Sequence, residues 1–421
     1  VTDRLWRHRD FLLMWGGESV SHVGTAISLV VLPLIAVVSL HAGGLEVGAL
    51  SAAEWAPWLL IGLPAGVWVD RSRRRLLMIG CDLARAALLV SIPIAAAADA
   101  LRLAQLYIVA FVVGLATVVF QVAYQAYLPT LVDATNLPEA NAKLQGTEAI
   151  ARVAGPGLGG LFVQVFRAPY AVIADVVSYA LSATALLAVR AREPRLEPAE
   201  RHLRREIGEG AHFVMRDRLL RVMTIAPAIS NFFFIGFEAI VVLFLVRAVH
   251  LAPASVGLLV GLTAIGSVVG AFAARTVGRL LGTARALMLG IAVCTPFALL
   301  IPLTTRGAGV LFFVVGQFVL LVGILIYNVT ISAFRQAYCP PQLLGRVVAS
   351  MRFVLFGTMP LGALTGGALA DALGLRPAAW VLLSGNLLAG LVLVASPLRT
   401  MRDLPSRPAG LSSAAPSAAH T

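Results

Sequence analysis

The segment Gly66-Val67-Trp68-Val69-Asp70-Arg71-Ser72-Arg73-Arg74-Arg75 separates two apolar runs, Leu45–Val69 and Leu76–Ala98. Each run is long enough to cross a bilayer, which takes about 20 apolar residues. Windows of about that length recur roughly a dozen times along the chain. Composition agrees with a membrane protein. Of 421 residues 59% are apolar and 13% charged, and the mean hydropathy is +0.88. A soluble domain carries about 25% charge. Soluble globular, disordered and disulfide-scaffold classes are therefore excluded. The expected fold class is all-α and integral to the membrane.

Twelve spans are expected, six within residues 1–190 and six within 219–400. Between them lies a polar linker, 191–218, with a short amphipathic helix suited to an inner membrane surface. Residues 401–421 have no apolar periodicity and are expected to form a disordered cytoplasmic tail. Arg4, Arg7 and Arg9 precede an apolar run too long for a signal h-region, so no cleavable signal is expected.

The formal charge of +12 would suggest nucleic acid in a soluble chain. In a membrane chain it reads instead as cytoplasmic loops enriched in arginine, with no nucleic-acid partner. With both termini cytoplasmic, inside segments hold 25 basic residues and outside loops five, Arg102, Arg167, Arg247, Arg306 and Arg376. Lys143 is the single lysine, and it stands in Asn141-Ala142-Lys143-Leu144 rather than in a phosphate-binding Gly-x-x-x-x-Gly-Lys. No ATPase is encoded here and no ATPase subunit is implied. A proton gradient is the expected energy source, with no cofactor. Three cysteines, an odd number, predict no disulfide. The preference for Arg over Lys and the Ala/Gly/Leu/Val load suggest a GC-rich bacterial genome and the bacterial cytoplasmic membrane.

The two halves echo one another. Gly66-x-x-x-Asp70-Arg71-x-x-Arg74-Arg75 is matched by Gly270-x-x-x-Ala274-Arg275-x-x-Gly278-Arg279 at an offset of 204, and Pro156 is matched by Pro360 at the same offset. Parallel six-helix repeats of this kind build many secondary carriers, with the substrate site near mid-membrane between them.

The 66–75 loop resembles the signature loop of the Major Facilitator Superfamily. The resemblance implies a gating latch built on Gly66, Asp70, Arg71 and Arg75. Arg73 departs from it, since the family usually has glycine there. A simple solvated basic loop is the competing reading. In the fifth span, Ala151-Arg152-Val153-Ala154-Gly155-Pro156-Gly157-Leu158-Gly159-Gly160 resembles the Gly-Pro-x-x-Gly-Gly motif of that superfamily's exporters, carried here by Gly155, Pro156, Gly159 and Gly160. A packing kink without directional meaning is the alternative. Leu128-Pro129, Asn136-Leu137, Asn141 and Arg152-x-x-Gly155-Pro156 are similar to the macrolide- and siderophore-exporter branch, the transmembrane secretion effectors. Glu206-Ile207-x-Glu209-Gly210-x-x-Phe213-Val214 resembles that branch's inter-domain helix. The fourth span lacks the intramembrane arginine that many proton antiporters carry.

Ionisable residues inside spans are functional candidates, because a lone charge at mid-membrane costs about 2.5–3.5 kcal/mol or more. Glu18 and His22 are four apart, as are Glu148 and Arg152; either pair reads as a proton relay or as a self-neutralising packing pair. Asp82 and Arg85, three apart near the cytoplasmic end, read as structural. Glu54, Asp175 and Glu238 have no local partner. Glu238, set among Phe232, Phe233, Phe234 and Phe237, suits a proton carrier or an anchor for a cationic drug. Phe120, Tyr124, Tyr127, Phe232, Phe237 and Tyr327 are candidate walls of an apolar cavity or plain helix packing. No catalytic residues and no metal site are expected. A membrane metalloprotease needs His-Glu-x-x-His, which is absent. The expected function is that of a secondary active transporter exporting small lipophilic molecules, such as a drug, macrolide-like antibiotic, siderophore or secondary metabolite. Proton-coupled antiport by a monomer is expected. An importer or facilitator on the same fold is the alternative, and a membrane-embedded enzyme a remote one.

Overall fold

The structure is a computed structural model describing residues 5, 8–62, 64–191 and 203–405. Residues 192–202 of the expected linker and 406–421 of the expected tail lie outside that description, as do Arg4 and Arg7. Fifteen α-helices, and no strand, occur among the described residues. Before residue 190 they are α1 (Arg9–Leu34), α2 (Gly44–Ile61), α3 (Ala65–Asp70), α4 (Arg74–Ala97), α5 (Leu103–Leu131), α6 (Leu137–Phe166), α7 (Ala168–Ala171) and α8 (Ile173–Ala188). The linker helix is α9 (Leu203–Arg216), followed by α10 (Arg218–Leu243), α11 (Pro253–Leu281), α12 (Thr283–Met288), α13 (Val310–Tyr338), α14 (Pro341–Leu373) and α15 (Leu375–Val394).

Eleven helical segments among the described residues are long and apolar enough to cross a membrane. The expected second span, Leu45–Val69, is broken in two and is not one of the eleven. Its 18-residue first piece, α2, contains Glu46, Glu54 and Pro57. It packs along α5 and α14, both of membrane length, which places it in the same layer. Pro64 at the break has no N–H, so it cannot donate the backbone bond that a helix continuing from α2 would require of it. The expected ninth span, Ala286–Leu303, also differs from a plain helix. It runs from α12 through a π-helical stretch, Leu289–Val293, into a 3-10 helix, Thr295–Leu303. Pro296 and Pro302 remove backbone donors from that stretch, and the looser and tighter turns on either side accommodate the loss.

The packing reproduces the repeat. Helix α6 crosses α11, and α2 crosses α14; these are the main contacts between helices before 190 and helices after 218. The offset of 204 exchanges the two crossings, as a pseudo-twofold relation between halves demands. Both rest on backbone contact. A methyl carbon at Gly257 would stand 2.8 Å from the Gly160 Cα, and one at Gly48 3.0 Å from the Gly367 Cα. Gly160 and Gly257 correspond to positions 364 and 53, one residue from Ala363 and Ala52, which share an apolar cluster.

The apolar core shows how the halves meet. At the end carrying Gly44 and Leu373, one core joins both sets of helices, from Val30, Val47 and Val163 to Phe244, Val256 and Leu382. At the opposite end the core divides. Phe11, Met78, Tyr127 and Leu186 form one cluster, and Met223, Tyr338, Val347 and Leu393 form another. The two halves are thus joined at one end and separate at the other.

Replacing Gly257 by valine forces two backbones apart, and overpacking of this kind costs about 1–3 kcal/mol. Thermal unfolding of detergent-purified protein is expected to show a lowered midpoint for Gly257→Val. Gly278→Val, whose side chain would meet open space, is expected to leave it within error. Equal midpoints for the two variants would exclude the crossing as a structural constraint.

Candidate functional site

A buried polar network lies between α1, α4, α5 and α8. Asp82 and Arg85 form an ion pair on α4, with side chains 0% and 3% exposed. The helix begins at Arg74, so the pair lies two to three turns from its start, enclosed by side chains of α5 and α8. The Arg85 guanidinium is held between two rings, 4.4 Å from the Phe120 centroid and 4.2 Å from that of Tyr179. Arg85 is thereby stabilised on both faces by aromatic quadrupoles. Asp82 Oδ2 and Arg85 Nε are buried without a hydrogen-bond partner.

The network continues along α1 and α8. The Tyr179 hydroxyl and Thr25 Oγ1 are 2.9 Å apart. Asp175, expected to have no local partner, accepts from Ser178 Oγ at 3.0 Å and from Ser28 on α1. Two hydroxyl donors explain how this carboxyl group is accommodated with 1% exposure. Glu18 is also buried, with His22 Nε2 3.4 Å from its Oε1, and both lie within electrostatic range of Arg85.

Glu148 and Arg152 form the expected pair at 2.7 Å, but the arginine side chain is 68% exposed. It lies on α6 toward the end where the halves separate. Across the molecule, Glu238 on α10 is half-buried and accepts from Gln317 Nε2 on α13 at 2.7 Å. Glu54 on α2 is half-buried and has no hydrogen-bond or ion-pair partner among the described residues. Glu18, Glu54 and Glu238 are thus separate acidic groups, on three helices, that no arginine neutralises by direct contact.

The aromatic candidates divide. Phe120, Tyr127, Phe237 and Tyr327 are buried in helix packing, whereas Tyr124 and Phe232 are half-buried. The first four are therefore packing residues in this conformation. Tyr327 donates to the Met223 carbonyl at 3.2 Å, which ties α13 to α10.

In the 66–75 loop, Asp70 lies 3.9 Å from Arg74 Nη2. Arg74 also donates to the Ala126 carbonyl at 2.9 Å, and Arg75 donates to the Leu186 and Leu187 carbonyls at 2.7 Å. Two arginines thus close carbonyl groups near the ends of α5 and α8, while Arg71 is exposed and Gly66 half-buried. In the Gly-Pro motif, Pro156 sits inside the continuous helix α6. A methyl carbon at Gly155 would lie 3.2 Å from the Ala26 Cα and one at Gly159 2.9 Å from the Ile27 carbonyl, so these two face α1 while Gly160 faces α11.

Sequence reasoning missed Gln317 and Tyr179. Gln317 is the lone amide within the run Val310–Leu325, and a polar group there is itself a signal, because hydrocarbon gives it no partner. Tyr179 carried no such signal, since its role depends on the arginine it covers. No cluster of metal-ligating side chains occurs among the described residues, and all three cysteines are free and buried.

Breaking a buried pair by removing one partner costs about 3–5 kcal/mol, whereas an exposed pair contributes about 0–1 kcal/mol. Arg85→Leu is expected to lower the thermal midpoint of purified protein sharply, and Arg152→Leu to leave it almost unchanged. Comparable midpoints for both variants would count against the enclosed pair as a stability element.

Residues 5–415 match the transmembrane secretion effector family. Macrolide efflux protein A of Streptococcus pyogenes is 24% identical over 405 residues, 94% of this chain and 97% of that protein. The multidrug efflux pump Tap of Mycolicibacterium fortuitum is 27% identical over 414 residues, 94% of this chain and 98% of that protein. Among solved structures, a variant of the nucleoside transporter NupG superposes with a TM-score of 0.77 at 12% identity, over 92% of this chain and 99% of that one. That likeness shows the fold, a Major Facilitator bundle. The chain is a multi-pass membrane protein and belongs to the transmembrane secretion effector family.

Proposed function

We propose that this protein exports small lipophilic molecules across the bacterial cytoplasmic membrane by alternating access, driven by proton antiport. The observation that carries this reading is the division of the core, continuous between the halves at the Gly44 end and split at the Asp70 end. Two bodies joined in this way rock about their crossings, so that a central site faces each side in turn. Residues 1–190 and 219–400 are the two bodies, and 191–218 links them. The efflux named for macrolide efflux protein A and for Tap supports the direction.

Arginine bias sets the topology. The split end carries Arg71, Arg73, Arg74, Arg75, Lys143 and Arg346, so it faces the cytoplasm together with both termini. The joined end then faces the exterior. The acting species is a monomer, since each chain holds both halves. Substrate is lipophilic, of the macrolide-antibiotic, drug, siderophore or secondary-metabolite class. Glu238 and Glu18 carry the proton, because each is acidic, set inside a helix of membrane length and free of a direct arginine partner. Gln317 orients the Glu238 carboxyl group by its 2.7 Å hydrogen bond.

Inside-out vesicles from a pump-deficient bacterial host test this reading. A proton gradient is expected to drive accumulation of a lipophilic cationic dye by the wild type, and an uncoupler to abolish it. Glu238→Gln keeps the hydrogen bonding but cannot exchange a proton, and is expected to lose gradient-driven accumulation. If Glu238→Gln pumped as well as wild type, the assignment of coupling to Glu238 would fail. Transport in the opposite direction would overturn export.

A further inference from the structure

Across the α2–α14 crossing, one carboxylate closes the joined end. Asp371 lies in the last turn of α14, and its two oxygens accept from the Gly44 N–H at 2.6 Å and the Leu45 N–H at 2.8 Å. Gly44 and Leu45 are the first two residues of α2. The leading N–H groups of a helix have no carbonyl partner within it, and the helix dipole favours an anion there. Glu46 turns back to take the Gly43 N–H at 2.7 Å. Among the described residues no arginine, lysine or histidine pairs with Asp371. Its contact is with α2 backbone from the opposite half of the chain.

The surroundings make this contact all-or-none. A methyl carbon at Gly44 would lie 2.6 Å from the Gly367 carbonyl and 2.8 Å from Ala370 Cβ, so the two helices touch with no slack. Opening a passage between the halves at this end must separate α2 from α14, and both hydrogen bonds must then break together. Toward the other end the crossing loosens; there a methyl carbon at Gly357 would find only Leu59 within reach, at 3.6 Å.

We infer that Asp371 is the gating residue of the exterior face, and that its paired hydrogen bonds to the α2 N-terminus set the balance between the exterior-closed and exterior-open forms. The inference rests on the alternating access and sidedness proposed above. Asp371 acts by positioning α2 and touches no substrate.

The test uses the full-length protein in lipid nanodiscs, with spin labels at Ala98→Cys and Ala308→Cys. These positions are exposed, one in each half, at the joined end. The native cysteines are buried, so labelling is directed to the new ones. Electron–electron distance measurements are expected to show one short distance in wild type. In Asp371→Ala the population of a longer distance is expected to rise at least ~10-fold, since each hydrogen bond to a charged group contributes enough for a change of about that size. Asp371→Glu, which keeps the charge, is expected to recover most of the short-distance form. Leu45→Pro removes one of the two donors without touching Asp371, and proline is tolerated in a first helical turn. It is expected to shift the balance in the same direction, and it carries the test if Asp371→Ala does not fold. Unchanged distances in the variants that fold would overturn the gating role. The readout involves neither substrate nor gradient, so failure of the dye assay leaves it intact. Labelling of Ala98→Cys by an impermeant maleimide from the cytoplasmic side alone would overturn the exterior assignment.

Discussion

Backbone-to-backbone contact at the α6–α11 and α2–α14 crossings is the constraint on which the remaining geometry depends. Lipid is as apolar as a leucine side chain, so helices in a bilayer gain little from hiding apolar surface from one another. They associate where small residues let backbones meet. Gly160 and Gly257 at one crossing, and Gly48 and Gly367 at the other, meet that requirement without side chains to spare. The crossings are exchanged by the internal repeat, which is why both occur at the same end. A core shared at that end and divided at the other follows from helices that touch closely over only part of their length.

The charges inside the membrane are unevenly placed, and the asymmetry has a physical basis. Helices before residue 190 hold Asp82, Arg85, Glu18, His22 and Asp175 in one connected region, with rings and hydroxyl groups around them. Arg85 is the counter-charge, and its ring sandwich replaces water that the interior excludes. Among helices after 218, Glu238 is met by the Gln317 amide rather than by an arginine.

Much of the fold was legible in the sequence because hydropathy acts over windows of a helix's own length. The apolar runs identified the helices, the arginine distribution suggested a topology, and Gly155-Pro156 with the 66–75 loop pointed to the family. The breaks at Pro64 and around Pro296 were less visible, because proline is tolerated in membrane helices when neighbours re-satisfy the backbone. The site was legible only in part. Spacing found Glu18–His22 and Glu148–Arg152, yet it could not distinguish an enclosed pair from an exposed one, and it ranked Asp82–Arg85 below them. Burial depends on which helix lies opposite, and four-residue spacing carries no information about that.

By itself the sequence determined that this chain is a polytopic all-α membrane protein with an internal repeat, since transfer from water to hydrocarbon is additive over residues and independent of neighbours. Only the tertiary structure decided which acidic groups are paired. Asp175 meets Ser28 across 147 positions, Glu238 meets Gln317 across 79, and Asp371 reaches the α2 N-terminus across 327. Hydrogen bonding acts over about 3 Å, and only the folded chain brings such distant residues that close.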